Sequence, residues 1–492
     1  NGPITYTIDG APLVGKIPDK ENAFCIIGLR AGLGEGGGHG WLLAQQIVHG
    51  EACYDTWCLD PRRFTTHANV EMTSLKAIED YQNEFRFHFP HEHRPAARLA
   101  KTTSLTPVMA SENAAFTVIN GWERVEYIKP SEDFHPSLSF HFDEAFDIVA
   151  NEVKNVQNNV GLTEVNGFNR FEISGSDAES FIDRMFCGNI THKIGRVGLG
   201  YLLNDFGMIK SEATISNLPS SDRGPKRMWY GSAAASEFHD MDWLKQHLKA
   251  DEEVEIKSLT NDQTILLLAG PNSREVLSSC SREDWSKEAF PWLSVRECFI
   301  GFSPATVMSV SFSGELAYEV HIPNAFLYAA YLTISNAGKG FGMKLFGSRA
   351  VESMRMEKGF LAWKSDLLTE FDPFESGLDR FVNLKKDNFI GKDALQNRIK
   401  NSPKQKLVCL KVACKHAPAY GGASLMEDGK VIGTITSGDW GHRVNLNLAY
   451  AFVNPEKSEL GTQMLLDLLG EMISVEVIPF GPYDSNFSRI LS

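Results

Sequence analysis

The chain has 492 residues, of which 43% are hydrophobic and 22% are charged, a composition that excludes a disordered or fibrous protein. At about 100–200 residues per domain, this length predicts several domains. The net charge of −14 argues against a general nucleic-acid-binding surface, because neutralising phosphates requires an excess of basic residues. No apolar run approaches about 18 residues, so the sequence predicts no membrane span.

The eight cysteines are scattered, and none forms a CxxC pair. This pattern predicts reduced thiols in a reducing compartment, either the cytoplasm or, in a eukaryote, the mitochondrial matrix. The densest histidine cluster, His88, His91 and His93, has no evident fourth ligand nearby. The sequence therefore predicts no metal site.

A glycine-rich segment, residues 32–40, lies between an apolar run at 23–30 that predicts a strand and an amphipathic stretch at 41–50 that predicts a helix. It contains a G-x-G-x-x-G spacing at Gly32, Gly34 and Gly37. Such glycines let the backbone approach a phosphate at a helix N-terminus. The expected acidic residue at the end of a second strand is missing. The segment is either a helix N-terminus that completes a nucleotide site begun elsewhere or a turn that packs a strand on a helix, and its glycine density favours the first.

The rest of the chain is predicted to be α+β. A helix is expected within residues 71–89, and a Pro-rich acidic loop at 129–137 is a plausible boundary. From residue 144 onwards strands and helices alternate, often through hairpins such as the one around 205–207. The last ~90 residues follow a polar turn at 400–406 and are strand-rich, which predicts a small antiparallel barrel or sandwich.

The segments FGMIKSEATIS, SFSGELAYEVHIP and ESMRMEKGFLAW resemble the folate-binding aminomethyltransferase fold of the glycine cleavage T-protein. Within that fold the chain most resembles the C-terminal half of dimethylglycine and sarcosine dehydrogenases. GLGEGGGHGWLLAQQIVHGE and LDPRRF resemble the end of their flavin domain, and the following segment up to GWERVEYI resembles their central linking domain. The resemblance implies the following division: 1–65, a C-terminal remnant of the FAD-dependent oxidoreductase domain; 66–124, the linking domain; 125–400, a T-protein-like folate-binding domain; 401–492, an antiparallel β-barrel.

The same resemblance implies an FAD site that is incomplete in this chain, with the amine-oxidising residues upstream. The residues expected to approach the flavin as a loop from its far side are Gly32, Leu33, Gly34, Glu35, Gly36 and Gly37.

For the folate site, the resemblance implies that Glu212 is the catalytic carboxylate, where the T-protein has Asp. The residues that would bind tetrahydrofolate are Ala213, Thr214, Phe312, Glu319, Val320, His321 and Arg380. A carboxylate such as Glu319 suits the adjacent 2-amino and N3–H donors of a pterin. Arg380 would pair with the glutamyl tail of folate.

Alternatives remain open for several of these residues. Glu212 lies in an alternating strand pattern and could face solvent, and Glu315 and Glu319 could form the exposed face of a hairpin. Arg355 and Glu357 are interpreted as a structural ion pair.

The implied function is folate-dependent one-carbon transfer coupled to flavin oxidation of an N-methyl amine, with an electron acceptor as a further partner. One alternative is a folate-dependent demethylase that acts on another methyl donor. Another is a non-catalytic relative that resembles the pyruvate dehydrogenase phosphatase regulatory subunit.

Overall fold

A computed structural model describes residues 4–220 and 226–492. At its N-terminal end a two-stranded antiparallel sheet of β1 (Leu13–Lys16) and β2 (Phe24–Ile27) precedes helix α1 (Gly32–His49). The helix begins nine residues earlier than predicted and includes the whole glycine-rich segment, although glycine disfavours helices. Residues 32–37 are therefore helical and do not form the predicted loop. Within the described part of the chain, no side chain of α1 is fully buried, and Leu33 and Trp41 are exposed.

The next segment holds a capped helix and a hairpin. The Asn69 side chain accepts a hydrogen bond from the Met72 amide at 2.9 Å, which starts the helix expected in this region. The elements are α2 (Val70–Gln82), α3 (Thr106–Ser111), β3 (Ala114–Ile119) and β4 (Trp122–Ile128).

Helices and strands alternate from residue 146 to residue 398, as the sequence predicts. In chain order they are α4 (Phe146–Asn158), β5 (Val160–Val165), β6 (Phe168–Ser174), α5 (Ala178–Met185), β7 (Val197–Leu203), β8 (Ile209–Leu218), β9 (Arg227–Ala234), α6 (Glu237–Gln246), β10 (Glu255–Ser258), β11 (Gln263–Ala269), α7 (Ser273–Cys280), β12 (Val295–Ile300), β13 (Ser303–Met308), β14 (Ala317–Pro323), α8 (Leu327–Gly338), β15 (Met343–Leu345), α9 (Ser348–Lys358) and α10 (Lys392–Arg398).

These strands form two sheets. The first sheet has the order β10-β6-β9-β8-β7 and is antiparallel throughout. The second sheet has the order β12-β13-β14-β11-β5-β15 and is antiparallel except for the parallel pair β5–β15.

Each sheet buries one apolar face. In the first, Phe171 and Ile215 pack in a core with α5, and in the second, Leu266 and Val320 pack in a core with α7 and α8. Because side chains alternate along a strand, the intervening residues lie on the other face of each sheet. Many of those residues are polar.

The C-terminal strands close into a six-stranded antiparallel barrel, which confirms the predicted barrel. Its order is β16-β19-β18-β17-β20-β21. Among the described helices, none combines the length and apolarity needed to cross a membrane. The barrel strands are β16 (Lys406–Val412), β17 (Ser424–Glu427), β18 (Lys430–Gly441), β19 (Leu446–Val453), β20 (Gln463–Leu468) and β21 (Glu471–Ile478).

Arg443, in the β18–β19 turn, ties the barrel to the rest of the molecule. Its guanidinium is fully buried and donates to Glu315 Oε1 at 2.7 Å, to the Met354 carbonyl at 2.7 Å, and to the Glu357 carboxylate. Arg489 also donates to Glu315, at 2.7 Å. Glu357 thus depends on Arg443 for compensation of its buried charge, and Glu315 depends on Arg443 together with Arg489.

We expect Arg443→Met to lower the free energy of unfolding by about 3–5 kcal/mol, because it leaves Glu315 and Glu357 as buried charges without their central partner. The measurement is urea denaturation. Lys457→Met is the matched control, since it removes a more exposed pair with Glu427 and should cost less than about 1 kcal/mol. Equal losses for the two variants would contradict the assignment.

Candidate functional site

The polar faces of the two sheets oppose each other around β8. Glu212, Thr214 and Ser216 share one face of this strand because they are two residues apart. Ser216 Oγ lies 3.4 Å from Met308 Sδ on β13, and Met308 is the register partner of Glu319 on β14. The structure therefore brings the predicted acid Glu212 and the predicted pterin ligand Glu319 to the same region between the sheets.

Glu212 is half-buried and has one strong hydrogen-bond donor. It pairs in register with Tyr201 on β7, whose hydroxyl donates to Glu212 Oε1 at 2.6 Å. Burial, with a smaller contribution from the Asp366 charge, raises the pKa of the Glu212 carboxyl to about 7, against the opposing effects of Tyr201 and Arg355. A carboxyl with this pKa exchanges protons near neutral pH, as a general acid or base requires.

Asp366 is part of a buried network next to this carboxyl. Arg355 on α9 donates to Asp366 Oδ2 at 2.9 Å and to the Phe360 carbonyl at 3.0 Å. Thr436, on β18 of the barrel, donates to Asp366 Oδ1 at 2.6 Å. The network links α9, the loop after it and the barrel beside Glu212.

Arg355 and Glu357 are both ion-paired, but they do not pair with each other. Arg355 pairs with Asp366 and Glu352, whereas Glu357 pairs with Arg443. The interpretation of a structural role is consistent with this placement, but the predicted pairing is wrong.

Glu319 belongs to a second charged group. His321 Nε2 lies 3.1 Å from Glu319 Oε2, and Arg170 Nη2 lies 3.8 Å from the same oxygen. Burial raises the pKa of Glu319, but His321 and Arg170 outweigh this effect and hold the pKa below its ordinary value. Burial lowers the pKa of His321 to about 4, so this imidazole is neutral at neutral pH. Glu319 is thus a carboxylate with 30% of its side chain exposed.

Phe312 and Arg380 are more exposed. Phe312 stacks on Phe360 with ring centroids 6.0 Å apart and planes 12° from parallel. Arg380 lies over Phe381, which in turn packs against Tyr201 at 5.1 Å. Both residues flank the groups around Glu212.

Two of the predicted binding residues point elsewhere. The Ala213 side chain lies in the apolar core with Phe171 and Tyr230, and the Val320 side chain lies in the core with Tyr318. Their side chains therefore face away from Glu212 and Glu319, and only their backbones lie next to the shared space.

No other described residue packs closely against the glycine-rich start of α1. A Cβ added at Gly32, Gly34, Gly36 or Gly37 would meet nothing within 4 Å among the described residues. Leu33 and Glu35 are exposed as well. The described part of the chain assembles no phosphate-binding pocket around this segment.

The histidine cluster does not form a metal site. His91 and His93 both contact the carboxylate of Glu126, at 3.1 and 2.8 Å, while His88 is exposed. No group of three or more metal-ligating side chains was found within the described residues.

A cleft of about 740 Å³, which no sequence pattern predicts, separates the N-terminal segment from the first sheet. Glu51 reaches across it to Lys210, two residues before Glu212 on β8. His239 also lines the cleft, and its Nδ1 lies 2.8 Å from Asp240 Oδ1. Burial lowers the pKa of His239 to about 4.

Three residues beside Glu212 and Glu319, namely Tyr201, Arg170 and Asp366, were not predicted from the sequence. Tyr201 could have been found by pairing the strands on either side of the 205–207 hairpin, which sets it opposite Glu212. Arg170 and Asp366 carried no local signal, because tertiary packing alone brings them to the site.

Three family models match consecutive parts of the chain. They are the FAD dependent oxidoreductase central domain at residues 49–103, the GCVT N-terminal domain at 105–386 and the glycine cleavage T-protein C-terminal barrel domain at 405–484.

Curated relatives match nearly the whole chain. Mitochondrial dimethylglycine dehydrogenase from Homo sapiens is 32% identical over 481 residues, which is 97% of this chain and 55% of that protein. Mitochondrial sarcosine dehydrogenase from Mus musculus is 26% identical over 537 residues, covering 99% of this chain and 58% of that protein. The chain thus spans just over half the length of these relatives.

The crystal structure of the glycine cleavage system aminomethyltransferase T from Bartonella henselae has the same fold, with a TM-score of 0.67 at 20% identity over 78% of this chain and 98% of that one. The GCVT N-terminal domain alone covers more than half of the sequence. The chain therefore belongs to the glycine cleavage T-protein family and is homologous to the dimethylglycine and sarcosine dehydrogenases within it.

Proposed function

We propose that this chain carries out folate-dependent one-carbon transfer coupled to flavin oxidation of an N-methyl amine such as dimethylglycine or sarcosine, with 5,10-methylenetetrahydrofolate as the product. The observation that carries this proposal is the Glu212 carboxyl, whose pKa burial raises to about 7, on a sheet face that opposes the charged Glu319. Homology to dimethylglycine and sarcosine dehydrogenases supports the choice of substrate class.

The pterin of tetrahydrofolate would bind between the two sheets. Glu319 supplies a carboxylate for its 2-amino and N3–H donors, and Thr214 lies on the facing strand. Phe312 offers an aromatic face, and Arg380 supplies a positive charge for the glutamyl tail.

Glu212 would stabilise the positive charge that forms during one-carbon transfer and would accept a proton. The substrate iminium carbon is attacked by folate N5, the demethylated amine departs with one proton, and closure of the ring through N10 releases a second proton. Of the two protons lost from N5 and N10, one leaves on the amine and the other is free. The Glu212 carboxylate stabilises the cationic stage and accepts the free proton, after which solvent removes it.

A flavin would supply the oxidation of the amine to the iminium ion. The described residues around Gly32–Gly37 do not fit a complete flavin site, because no other described residue lies close enough to these glycines to form a pocket for the phosphates. We therefore assign no amine-oxidising residue in this chain, and the electron acceptor remains part of the proposal. We propose the mitochondrial matrix as the location of this activity in a eukaryote, and the cytoplasm otherwise; the mitochondrial relatives support the first location.

The two alternatives make different demands on the site. A demethylase acting on another methyl donor would not need the segment that matches the FAD dependent oxidoreductase central domain. A non-catalytic regulatory relative would not need a carboxyl that titrates near pH 7. Both observations favour the coupled transferase.

We expect Glu212→Gln to lower the rate of one-carbon transfer by about 10²–10³, because it removes a fixed charge that acts in the transition state. Amine oxidation should be unaffected. The measurement is the yield of 5,10-methylenetetrahydrofolate per amine oxidised, together with the single-turnover transfer rate, in the protein as its host expresses it.

The matched control is Glu255→Gln, which neutralises an exposed carboxylate on β10 of the same sheet and should change neither quantity. If Glu212→Gln behaves like this control, Glu212 has no part in the transfer.

The pH dependence of transfer gives a separate prediction. The rate should rise with pH through about 7 as Glu212 loses its proton. Tyr201→Phe removes the hydrogen bond that favours the carboxylate, so the pKa of Glu212 should increase and the rising limb should move to higher pH. Tyr328→Phe, an exposed tyrosine on α8, should leave the profile in place. A limb that stays at the same pH in Tyr201→Phe would refute the assignment.

A further inference from the structure

Arg170 reaches across a glycine toward the site. It pairs in register with Gly231 on β9, which in turn pairs with Thr214 on β8, so these three residues form one row on the same sheet face. A Cβ at Gly231 would collide with Arg170 Nη1 and crowd Thr214 Oγ1. The absence of a side chain at Gly231 therefore lets the guanidinium lie over this strand beside Thr214.

The guanidinium is buried but poorly satisfied. Only 7% of the Arg170 side chain is exposed, and its nearest charged partner, Glu319 Oε2, is 3.8 Å from Nη2, beyond hydrogen-bond distance. Among the residues that the structure describes, Nη1 has no hydrogen-bond partner. The Trp229 ring lies 5.8 Å from the guanidinium carbon, which further limits access of water. A buried N–H donor without a partner is rare in native proteins, and a ligand acceptor is one way to satisfy it.

The pterin edge of folate has the complementary pattern. Its 2-amino group and N3–H are adjacent donors, and its 4-oxo group is the acceptor next to them. Glu319 offers only acceptors, and Arg170 offers only donors. The two side chains are neighbours, so together they present an acceptor and a donor in the order that this edge requires.

We propose that Arg170 is a specificity-determining residue that donates from Nη1 to the 4-oxo group of the pterin while Glu319 accepts from the 2-amino group and N3–H. This inference rests on the proposed folate-dependent function. The inference also predicts selectivity. The site should accept 4-oxo pterins and reject 4-amino pterins, because a 4-amino group and the Arg170 guanidinium are both hydrogen-bond donors.

The test compares the binding of tetrahydrofolate with that of its 4-amino counterpart, tetrahydroaminopterin, by anaerobic calorimetry. Wild-type protein should bind tetrahydrofolate at least about 100-fold more tightly, because a site built for one hydrogen-bonding group discriminates strongly against its opposite. In Arg170→Gln this preference should fall at least tenfold, since the glutamine amide can accept as well as donate. Arg296→Gln, on β12 at the edge of the other sheet, should retain the wild-type preference.

Each outcome separates this inference from the function on which it rests. If the wild type binds tetrahydrofolate and its 4-amino counterpart equally, the role of Arg170 is overturned without any variant. If the wild type prefers tetrahydrofolate and Arg170→Gln keeps that preference in full, the role is overturned while folate binding stands. If the wild type binds neither compound, the proposed function fails, and the inference fails with it.

Discussion

Two largely antiparallel sheets face each other across a layer of ionisable side chains, and the cost of keeping those charges away from water constrains the architecture around them. Glu212 and Arg170 come from one sheet, and Glu319 comes from the other. The apolar residues of the same strands are used on the opposite faces, where each sheet packs against helices. A polar layer of this kind persists only if the surrounding scaffold is rigid enough to hold it.

The scaffold supplies this rigidity through other buried charges. The Arg443 network holds the barrel against α9 and the loop that precedes β14, and the Arg355–Asp366 pair holds the loop after α9 beside Glu212. The surrounding residues also give the two candidate carboxyls, Glu212 and Glu319, different pKa values. Burial dominates at Glu212 and brings its pKa to about 7, whereas His321 and Arg170 keep Glu319 ionised. One carboxyl is thus suited to proton transfer and the other to fixed recognition.

Much of the fold could be predicted from the sequence, because alternating strand patterns and turn residues are local signals. The barrel and the α+β alternation follow from them, and the family resemblance singled out Glu212 and Glu319 as candidate site residues. The same alternation would have placed Ala213 and Val320 on the faces opposite to those acids. Arg170 and Asp366 could not be found in this way, since their roles depend on register and on contacts far apart in sequence. The early start of α1 went against glycine propensity, which is a weak guide to structure.

The most direct test of this account is a crystal structure of the protein with a bound stable reduced folate, 5-formyltetrahydrofolate. We expect the pterin between the two sheets, with its 2-amino group and N3 at Glu319 and its N5 side toward Glu212. A folate bound only outside this space, at a concentration that saturates binding in solution, would contradict the central claim.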